Sequence, residues 1–171
     1  MANPITVDKI PYGVPALGQR QDWADGRKFI GAYYDGVAPA TTVTKGDFVF
    51  IQDDSDGVYT PQIEVAATGT AGIYRQGGIV CETVLAADNR VVWVQIAGDC
   101  EFARVEGGTT DVDIGDTLKG VDAQNYLVQA SATDLTTNAF AVAKEAITTA
   151  VPSGVGTTSI FILGRQVLIG T

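Results

Sequence analysis

The sequence contains no histidine and only two cysteines, Cys81 and Cys100. Histidine is the commonest general base in enzymes and the commonest metal ligand, so both roles lack their usual residue. Two cysteines are too few for a disulfide framework, and their spacing is not that of a metal site. They flank one strong strand, so they either form a single disulfide or, as we expect, are buried free thiols. We predict no catalytic residue, metal site or cofactor.

Positive charge and long apolar runs are scarce as well. The chain has 11 Lys and Arg against 20 Asp and Glu, which gives a net charge of −9. Nucleic-acid binding needs clustered basic side chains that displace counterions, so we expect no nucleic-acid partner. The acidity either provides solubility or keeps the protein on the side of an assembly away from DNA. No run approaches the roughly 18 apolar residues of a membrane span. We therefore expect no membrane partner. The N-terminus also lacks the apolar region of a signal peptide.

Turn and strand formers are abundant. The 171 residues include 20 glycines and many Val, Thr and Ile, whereas the helix formers Leu, Lys and Glu are few. This composition predicts an all-β fold, either a small β-barrel or a β-sandwich. The strongest strand signal is Arg90–Gly98, which is bounded by Asp88-Asn89 and by Gly98-Asp99.

The Arg90–Gly98 strand is apolar on both faces, since Val92 and Ile96 alternate with Trp93 and Ala97. A strand of this kind must be covered on both sides. Three further segments are apolar on both faces: Phe48–Ile51, Ile160–Leu163 and Val167–Ile169. This apolar surface exceeds what one small barrel needs, which predicts burial between subunits, with the Trp93 face as the candidate interface. The alternative is that these residues fill the protein's own core.

Residues 1–28 differ from the rest, because Pro4, Pro11 and Pro15 prevent regular structure. The segment is either a poorly ordered terminus or an extended arm that lies over a neighbouring surface. We predict an arm over residues 1–28 and a single β-rich domain over 29–171. The candidate contact residues of the arm, for a partner protein or a neighbouring subunit, are its apolar side chains: Ile5, Val7, Ile10, Val14 and Leu17.

Several other elements are expected. Gly77-Gly78 is interpreted as a turn before a strand over Ile79–Val84, and Glu101–Glu106 as a separate strand. Residues 139–146 permit a helix, but their alternation favours a strand. The acidic stretch Asp53–Gly57 is not followed by the glutamate that a calcium loop requires, so it is interpreted as a solvated turn.

Two parts of the chain share one pattern. Gly46-Asp47 opens an apolar strand that is followed by a polar stretch, a second strand and a strong strand ending at Gly98. Gly115-Asp116 opens the same order of elements, which ends at Gly164. The similarity is either coincidence in a glycine-rich β-protein or the mark of two β-meanders of similar design, which would build a small barrel or sandwich.

From Ile79 to Leu163 the order of elements resembles the small capsid decoration, or cement, proteins of tailed bacteriophages. In that family a strand ending in glycine leads to a Gly-Asp turn, and a late Ala-x-Glu-Ala strand precedes the final apolar strand. The opening Met1-Ala2-Asn3-Pro4 is also similar, whereas Phe29–Gln76 matches less well. The segments that carry the resemblance are Gly78-Ile79-Val80, Val91–Gly98, Ala103-Arg104-Val105, Ile114–Leu118, Tyr126-Leu127-Val128, Ala141–Ala146 and Ser159–Gly164.

The resemblance implies a β-barrel or β-tulip-like fold without enzymatic activity. It implies a structural protein that is made in the host cytoplasm and binds the outer surface of a phage head, usually as a trimer. The partner would be the major capsid protein, and the role would be to stabilise contacts between capsomers. Because one trimer bridges several capsomers, its individually weak contacts would reinforce one another.

Two other classes of function stay open. A carbohydrate-binding or host-adhesion module of a phage virion would stack sugars on exposed aromatic rings, for which the candidates are Trp23, Tyr33, Tyr34 and Tyr59. An enzyme would need a carboxylate pair such as Asp111 and Asp113, but neighbouring turn residues make a poor acid–base pair. We therefore expect no enzymatic activity.

Overall fold

The computed structural model describes residues 10–35, 42–52, 61–64, 74–107, 111–121, 124–131, 139–147, 155–164 and 166–168. The regular structure of these residues is β-strand, which confirms the predicted all-β class. None of them belongs to a helix long and apolar enough to cross a membrane. The strands are β1 (Arg20–Asp22), β2 (Lys28–Tyr34), β3 (Phe48–Gln52), β4 (Gln62–Glu64), β5 (Tyr74–Val80), β6 (Arg90–Glu106), β7 (Thr117–Gly120), β8 (Leu127–Gln129), β9 (Ala141–Ala143), β10 (Val155–Ile162) and β11 (Gln166–Leu168).

The strands form two closed rings that share β6. In the first ring, barrel 1, β2 pairs with β6, β6 with β5, β5 with β3 and β3 with β4, and β4 returns to β2 in parallel. In the second ring, barrel 2, β6 pairs with β10, β10 with β9, β9 with β7 and β7 with β8, and β8 returns to β6 in parallel. The architecture is therefore the small β-barrel of the two predicted alternatives. The strands β1 and β11 add to barrel 1 by pairing with β2 and β5.

β6 is one continuous strand of 17 residues. Its first half, Arg90–Ala97, pairs with β2, and its second half, Gly98–Glu106, pairs with β10. The prediction that one strand ends at Gly98 and another begins at Glu101 was wrong. Gly98 instead marks the passage from barrel 1 to barrel 2, with φ +84° and a position for an added Cβ only 2.8 Å from the Cα of Arg27. Glycine meets both requirements because it has no side chain.

The two barrels repeat each other strand for strand. Each barrel contains four strands in the same order along the chain. They are β3, β4, β5 and the first half of β6 in barrel 1, and β7, β8, β9 and β10 in barrel 2. The strand that precedes each set is β2 in barrel 1 and the second half of β6 in barrel 2. In both barrels this preceding strand pairs antiparallel with the last strand and parallel with the short one. The pattern noted in the sequence is thus a structural repeat.

The repeat extends to single hydrogen bonds in the turn before β3 and the turn before β7. Asp47 N donates to Thr44 O over 2.9 Å, and Asp116 N donates to Asp113 O over 3.1 Å. The carboxylate of each aspartate accepts the N–H at the start of its turn, 2.8 Å away in both cases. The third turn residue is a glycine at φ +94° in one turn and +96° in the other, which is the position where a type II turn favours glycine. The Gly-Asp pairs therefore mark equivalent turns.

The outward side of β3 joins the two barrels. Val49 and Ile51 point into the core of barrel 1, whereas Phe48 and Phe50 belong to the apolar cluster that fills barrel 2. The rings of Phe48 and Phe140 meet edge to face with centroids 4.9 Å apart. The second apolar face of Phe48–Ile51 is therefore buried between two barrels of one chain, and the prediction of burial between subunits was wrong for this strand.

A buried ion pair joins the barrels beside this apolar contact. Asp47, which precedes β3, is buried, and its Oδ1 pairs with the guanidinium of Arg104 from the second half of β6. Its Oδ2 accepts a hydrogen bond of 3.0 Å from Asn125 Nδ2, in barrel 2. Because every oxygen of the buried carboxylate has a partner, the contact between the barrels tolerates this charge.

Gly77 and Gly78 lie inside β5, so the prediction of a turn was wrong. An added Cβ on Gly77 would lie 2.8 Å from the rings of Phe48 and Phe140, and one on Gly78 would lie 2.3 Å from Val94. The glycines are needed because side chains approach the strand closely on both faces, not because the chain reverses there. The predicted strand within residues 139–146 is confirmed by β9. The acidic stretch Asp53–Gly57 lies outside the described residues.

Candidate functional site

The N-terminal segment, residues 10–19, lies against β2 of barrel 1. Gly18 N donates to Gly31 O and Gly31 N donates to Gln19 O, each over 2.8 Å. An added Cβ on Gly31 would lie 2.3 Å from the carbonyl oxygen of Ala16 and 2.8 Å from Pro15 Cβ. The absence of a side chain at Gly31 therefore lets the segment pack directly on the backbone of the strand.

Two prolines of the N-terminal segment face the barrel, and the residues between them face the surface. Pro11 and Pro15 are buried, whereas Tyr12 is 83% exposed and Val14 is 74% exposed. Trp93 Nε1 donates a hydrogen bond of 3.1 Å to Gly13 O, between the two exposed residues. Gly13 bends the backbone between them with φ +78°, and the side chains on either side of this held bend are both exposed.

A groove of about 340 Å³ lies beside these two residues. One wall is the N-terminal segment from Ile10 to Val14, and the other is formed by Cys81, Glu82 and Trp93. The groove is mostly apolar, and Glu82 supplies its charge. Glu82 also forms an ion pair of 3.0 Å with Arg90. The groove therefore offers mainly apolar contact surface.

The structure brings two of the predicted contact residues together. Ile10 packs against the small cluster that contains Trp93, which is only 4% exposed. Trp93 is thus covered by its own chain. This agrees with the alternative that its apolar face fills the protein's own core. Val14 is exposed, and Leu17 is 37% exposed at the end of the same segment. Ile5 and Val7 lie outside the described residues.

Tyr12 was missed as a contact residue, although it is the most exposed large side chain of the segment. The prediction selected aliphatic residues and did not assign them to faces. A usable signal was present, because Tyr12 and Val14 are two residues apart between Pro11 and Pro15. Two prolines keep this stretch out of regular structure, and a glycine between two large side chains is typical of a bend that exposes its neighbours.

The predicted arm does not remain separate from the barrel along its whole length. Within residues 1–28, Arg20–Asp22 forms β1, which pairs antiparallel with Lys28–Ile30 of β2. The turn between these strands is closed by Trp23 N, which donates to Arg27 O over 2.8 Å. The described part of the arm is therefore an irregular segment over residues 10–19, with a turn closed by Gln19 N donating to Ala16 O over 3.0 Å, followed by a β-hairpin.

The aromatic residues considered for sugar stacking do not form one open platform in the described part of the chain. Tyr34 is buried in the core of barrel 1. The ring of Trp23 is covered by the guanidinium of Arg27, 4.2 Å from its centroid, and packs against Phe29. Tyr33 is half-buried, and Tyr59 lies outside the described residues. This arrangement does not favour the carbohydrate-binding alternative.

Cys81 and Cys100 are both free and buried, as expected from the sequence. Burial raises the pKa of the Cys100 thiol to about 12, because a thiolate would lose its solvation there. Burial also raises the pKa of Cys81 well above its usual range. Both thiols are therefore protonated at neutral pH, and they pack as small apolar groups.

The carboxylates Asp111 and Asp113 are both exposed, on either side of the buried Val112. Asp113 N donates to the carboxylate of Asp116, which fixes the turn before β7. Among the described residues, no three Asp, Glu, Cys or His side chains lie together in a way that would hold a metal ion. Asp113 is thus the first residue of the turn that Asp116 closes.

No protein-family model matches the chain, and no curated protein matches it. Among solved structures, the chain is similar to the head fiber gp8.5 N base of bacteriophage phi29, with 12% sequence identity and a TM-score of 0.47. The similarity covers 82% of this chain and 98% of that one. The two barrels are defined by the strand pairing of this chain.

Proposed function

We propose that this chain is a structural protein of a tailed-bacteriophage virion that binds the outer surface of the head and stabilises contacts between capsomers. Its partner in this proposal is the major capsid protein, it acts as a homotrimer, and it has no enzymatic activity. The proposal starts from the resemblance of Ile79–Leu163 to phage decoration proteins, in which the Gly-Asp turn of that family is matched by Gly115-Asp116.

The observation that carries the proposal is the fixed presentation of Tyr12 and Val14. Large apolar side chains that are mostly exposed lose little freedom on binding when the backbone beneath them is already held in place. Here the backbone is held by the hydrogen bonds at Gly31 and by the bond from Trp93 to Gly13. Such a pre-organised apolar pair is suited to docking on another protein surface, and aromatic residues are enriched in such contacts.

The scale of the contact also fits a cement protein. Two side chains and one groove give a small contact, which alone would bind weakly. A trimer would present three copies of it to a lattice of identical capsomers, so the effective concentration at the second and third contacts would be high. The acidic chain, with its net charge of −9, suits a position on the outside of a DNA-filled head.

The experiment is co-sedimentation of the purified chain with empty heads of the phage that encodes it. We expect saturable binding by the unaltered chain and binding at least tenfold weaker after Tyr12→Ser combined with Val14→Ser. Gly31→Ala should weaken binding in the same way, because its methyl group would displace the segment from β2.

Two matched variants serve as controls. Leu85→Ser replaces another exposed apolar residue outside the segment and should bind as the unaltered chain does. Gly156→Ala adds a methyl group whose nearest neighbour is 3.9 Å away, and it should also bind normally. If the unaltered chain does not bind heads, the proposed function is wrong; if Tyr12→Ser with Val14→Ser binds normally, the segment is not the contact.

A further inference from the structure

The structural repeat allows the outward faces of the two barrels to be compared residue by residue. In barrel 1, one row of residues crosses β3, β5, β6 and β2, each residue paired with the next. All four are completely buried although they point away from the core of their own barrel. This row, the outer row of barrel 1, consists of Phe48, Ile79, Gln95 and Phe29.

The equivalent row of barrel 2 crosses β7, β9, β10 and β6 in the same pairing. We call it the outer row of barrel 2; it consists of Thr117, Val142, Phe161 and Asp99. Phe161 is 46% exposed, Val142 and Thr117 are half-buried, and Asp99 is exposed. Leu163, two residues beyond Phe161, is 37% exposed. One face of the repeat is therefore covered and its counterpart is open.

The cover of the outer row of barrel 1 shows what this type of face binds. Phe48 and Ile79 belong to the apolar cluster of barrel 2. Phe29 lies under Trp23, Trp93 and Cys81 of barrel 1. The Phe48–Ile79 end of the face thus receives a β-barrel of the same fold from the same chain, and the Phe29 end is covered by side chains of barrel 1 itself. The outer row of barrel 2 is the equivalent face of the structural repeat, and it is open.

The open face has the composition of a small interface. Val142, Phe161 and Leu163 form an apolar centre. At its edge, Lys144 Nζ and Asp99 Oδ1 form an exposed ion pair of 2.9 Å. An apolar centre with a polar rim is the usual arrangement at protein–protein contacts. The open face also adjoins the covered one on β6, because Gln95 Nε2 donates to Asp99 O over 2.7 Å.

We propose that the face formed by Val142, Phe161 and Leu163 is the subunit interface, and that its occupant is a second copy of this chain. The inference deepens the proposed function, since it rests on the homotrimer and assigns its contact to barrel 2 in place of Trp93. The packing of one barrel on the other within the chain is the model for the packing between subunits. A face that binds a different surface of the next copy closes into a ring when the rotation permits, as a trimer requires.

The test is the solution mass of the full chain by light scattering, for the unaltered protein, Phe161→Lys and Ile114→Lys. The last variant adds the same charge at another exposed apolar residue of barrel 2, in the turn before β7. We expect three times the chain mass of 17.9 kDa for the unaltered chain and Ile114→Lys, and one chain mass for Phe161→Lys. Circular dichroism checks that the variants fold. If Phe161→Lys does not fold, Leu163→Lys takes its place with the same expectation.

Two outcomes would overturn the inference: a monomeric unaltered chain, or a Phe161→Lys variant that folds and keeps the trimer mass. Binding to heads separates this failure from failure of the proposed function. A chain that is monomeric and still binds heads contradicts the interface and the homotrimer and leaves the proposed binding to the head standing. A trimer that dissociates on Phe161→Lys but never binds heads supports the interface and contradicts the proposed function.

Discussion

Barrel 1 and barrel 2 have the same strand order and the same turns, and they differ at positions that point away from their cores. Barrel 1 carries Phe48 and Gly31 where barrel 2 carries Thr117 and the exposed Glu101. Phe48 fills a place in barrel 2, and Gly31 accepts the N-terminal segment. The strand order therefore determines the architecture of each barrel, whereas a few outward-pointing residues determine which part of the protein covers it.

The largest difference in stability is expected between truncations at two equivalent positions, the covered Phe48 of barrel 1 and the open Thr117 of barrel 2. Phe48→Ala should lower the free energy of unfolding by about 4 kcal/mol, because it leaves a cavity between the barrels. Thr117→Ala, the equivalent change in barrel 2, should cost less than about 1 kcal/mol because Thr117 is half-exposed. Denaturant unfolding followed by circular dichroism measures both. Equal losses would mean that the two outer rows do not differ as described.

A smaller contrast is expected between the two turn aspartates. Asp47→Asn removes the charge that pairs with Arg104 and should lower the free energy of unfolding by about 3 kcal/mol. Asp116 holds its own turn and accepts a hydrogen bond of 2.7 Å from Gln129, but no guanidinium pairs with it among the described residues. Asp116→Asn should therefore cost only about 1 kcal/mol. The same denaturation experiment decides, and a larger loss for Asp116→Asn would contradict the role of the Arg104 pair.

The smallest contrast concerns Cys100, which holds in barrel 2 the place of Ile30 in barrel 1. Its pKa is raised to about 12 in the folded state from an ordinary value of 9.0. The thiol's contribution to stability is therefore full below pH 9 and is lost as pH rises towards 12. The advantage of the unaltered chain over Cys100→Ala should shrink by about 1 kcal/mol by pH 10.

Thermal and denaturant unfolding at several pH values between 8 and about 11 measure this difference. Ile30→Ala is the control, because Ile30 does not ionise and its cost should not depend on pH in the same range. A constant difference between the unaltered chain and Cys100→Ala would show that the thiol is accessible to water in the folded state.

Much of the fold could be predicted from local pattern. The apolar runs of β2, β3 and β6, the Gly-Asp turns and the strand over Ala141–Ala143 all follow from residue types and their alternation. The glycines were the weak point. Gly77-Gly78 and Gly98 have the composition of turns, yet both lie inside strands because distant residues approach them closely, and such approaches leave no local signal.

The candidate site could be predicted only in part, for a related reason. Hydrophobicity identified the N-terminal segment and Trp93 as unusual, but an apolar residue has the same sequence signal whether its partner is its own chain or another. Trp93 is covered by residues 10–14, and Phe48 by barrel 2. Which apolar faces stay open depends on packing between barrels, and that packing joins residues far apart in the sequence.

The strand β6 has a consequence for the order in which the protein is made. Chains leave the ribosome from the N-terminus, and folding begins on what has emerged. Every strand of the barrel 1 ring is present once Ala97 is free, whereas the barrel 2 ring cannot close until β10 has followed. In that interval the second half of β6 extends from a finished barrel without its neighbours β8 and β10, although Arg104 N can already donate to Gly46 O of barrel 1. Newly made protein is then most open to pairing with the wrong chain.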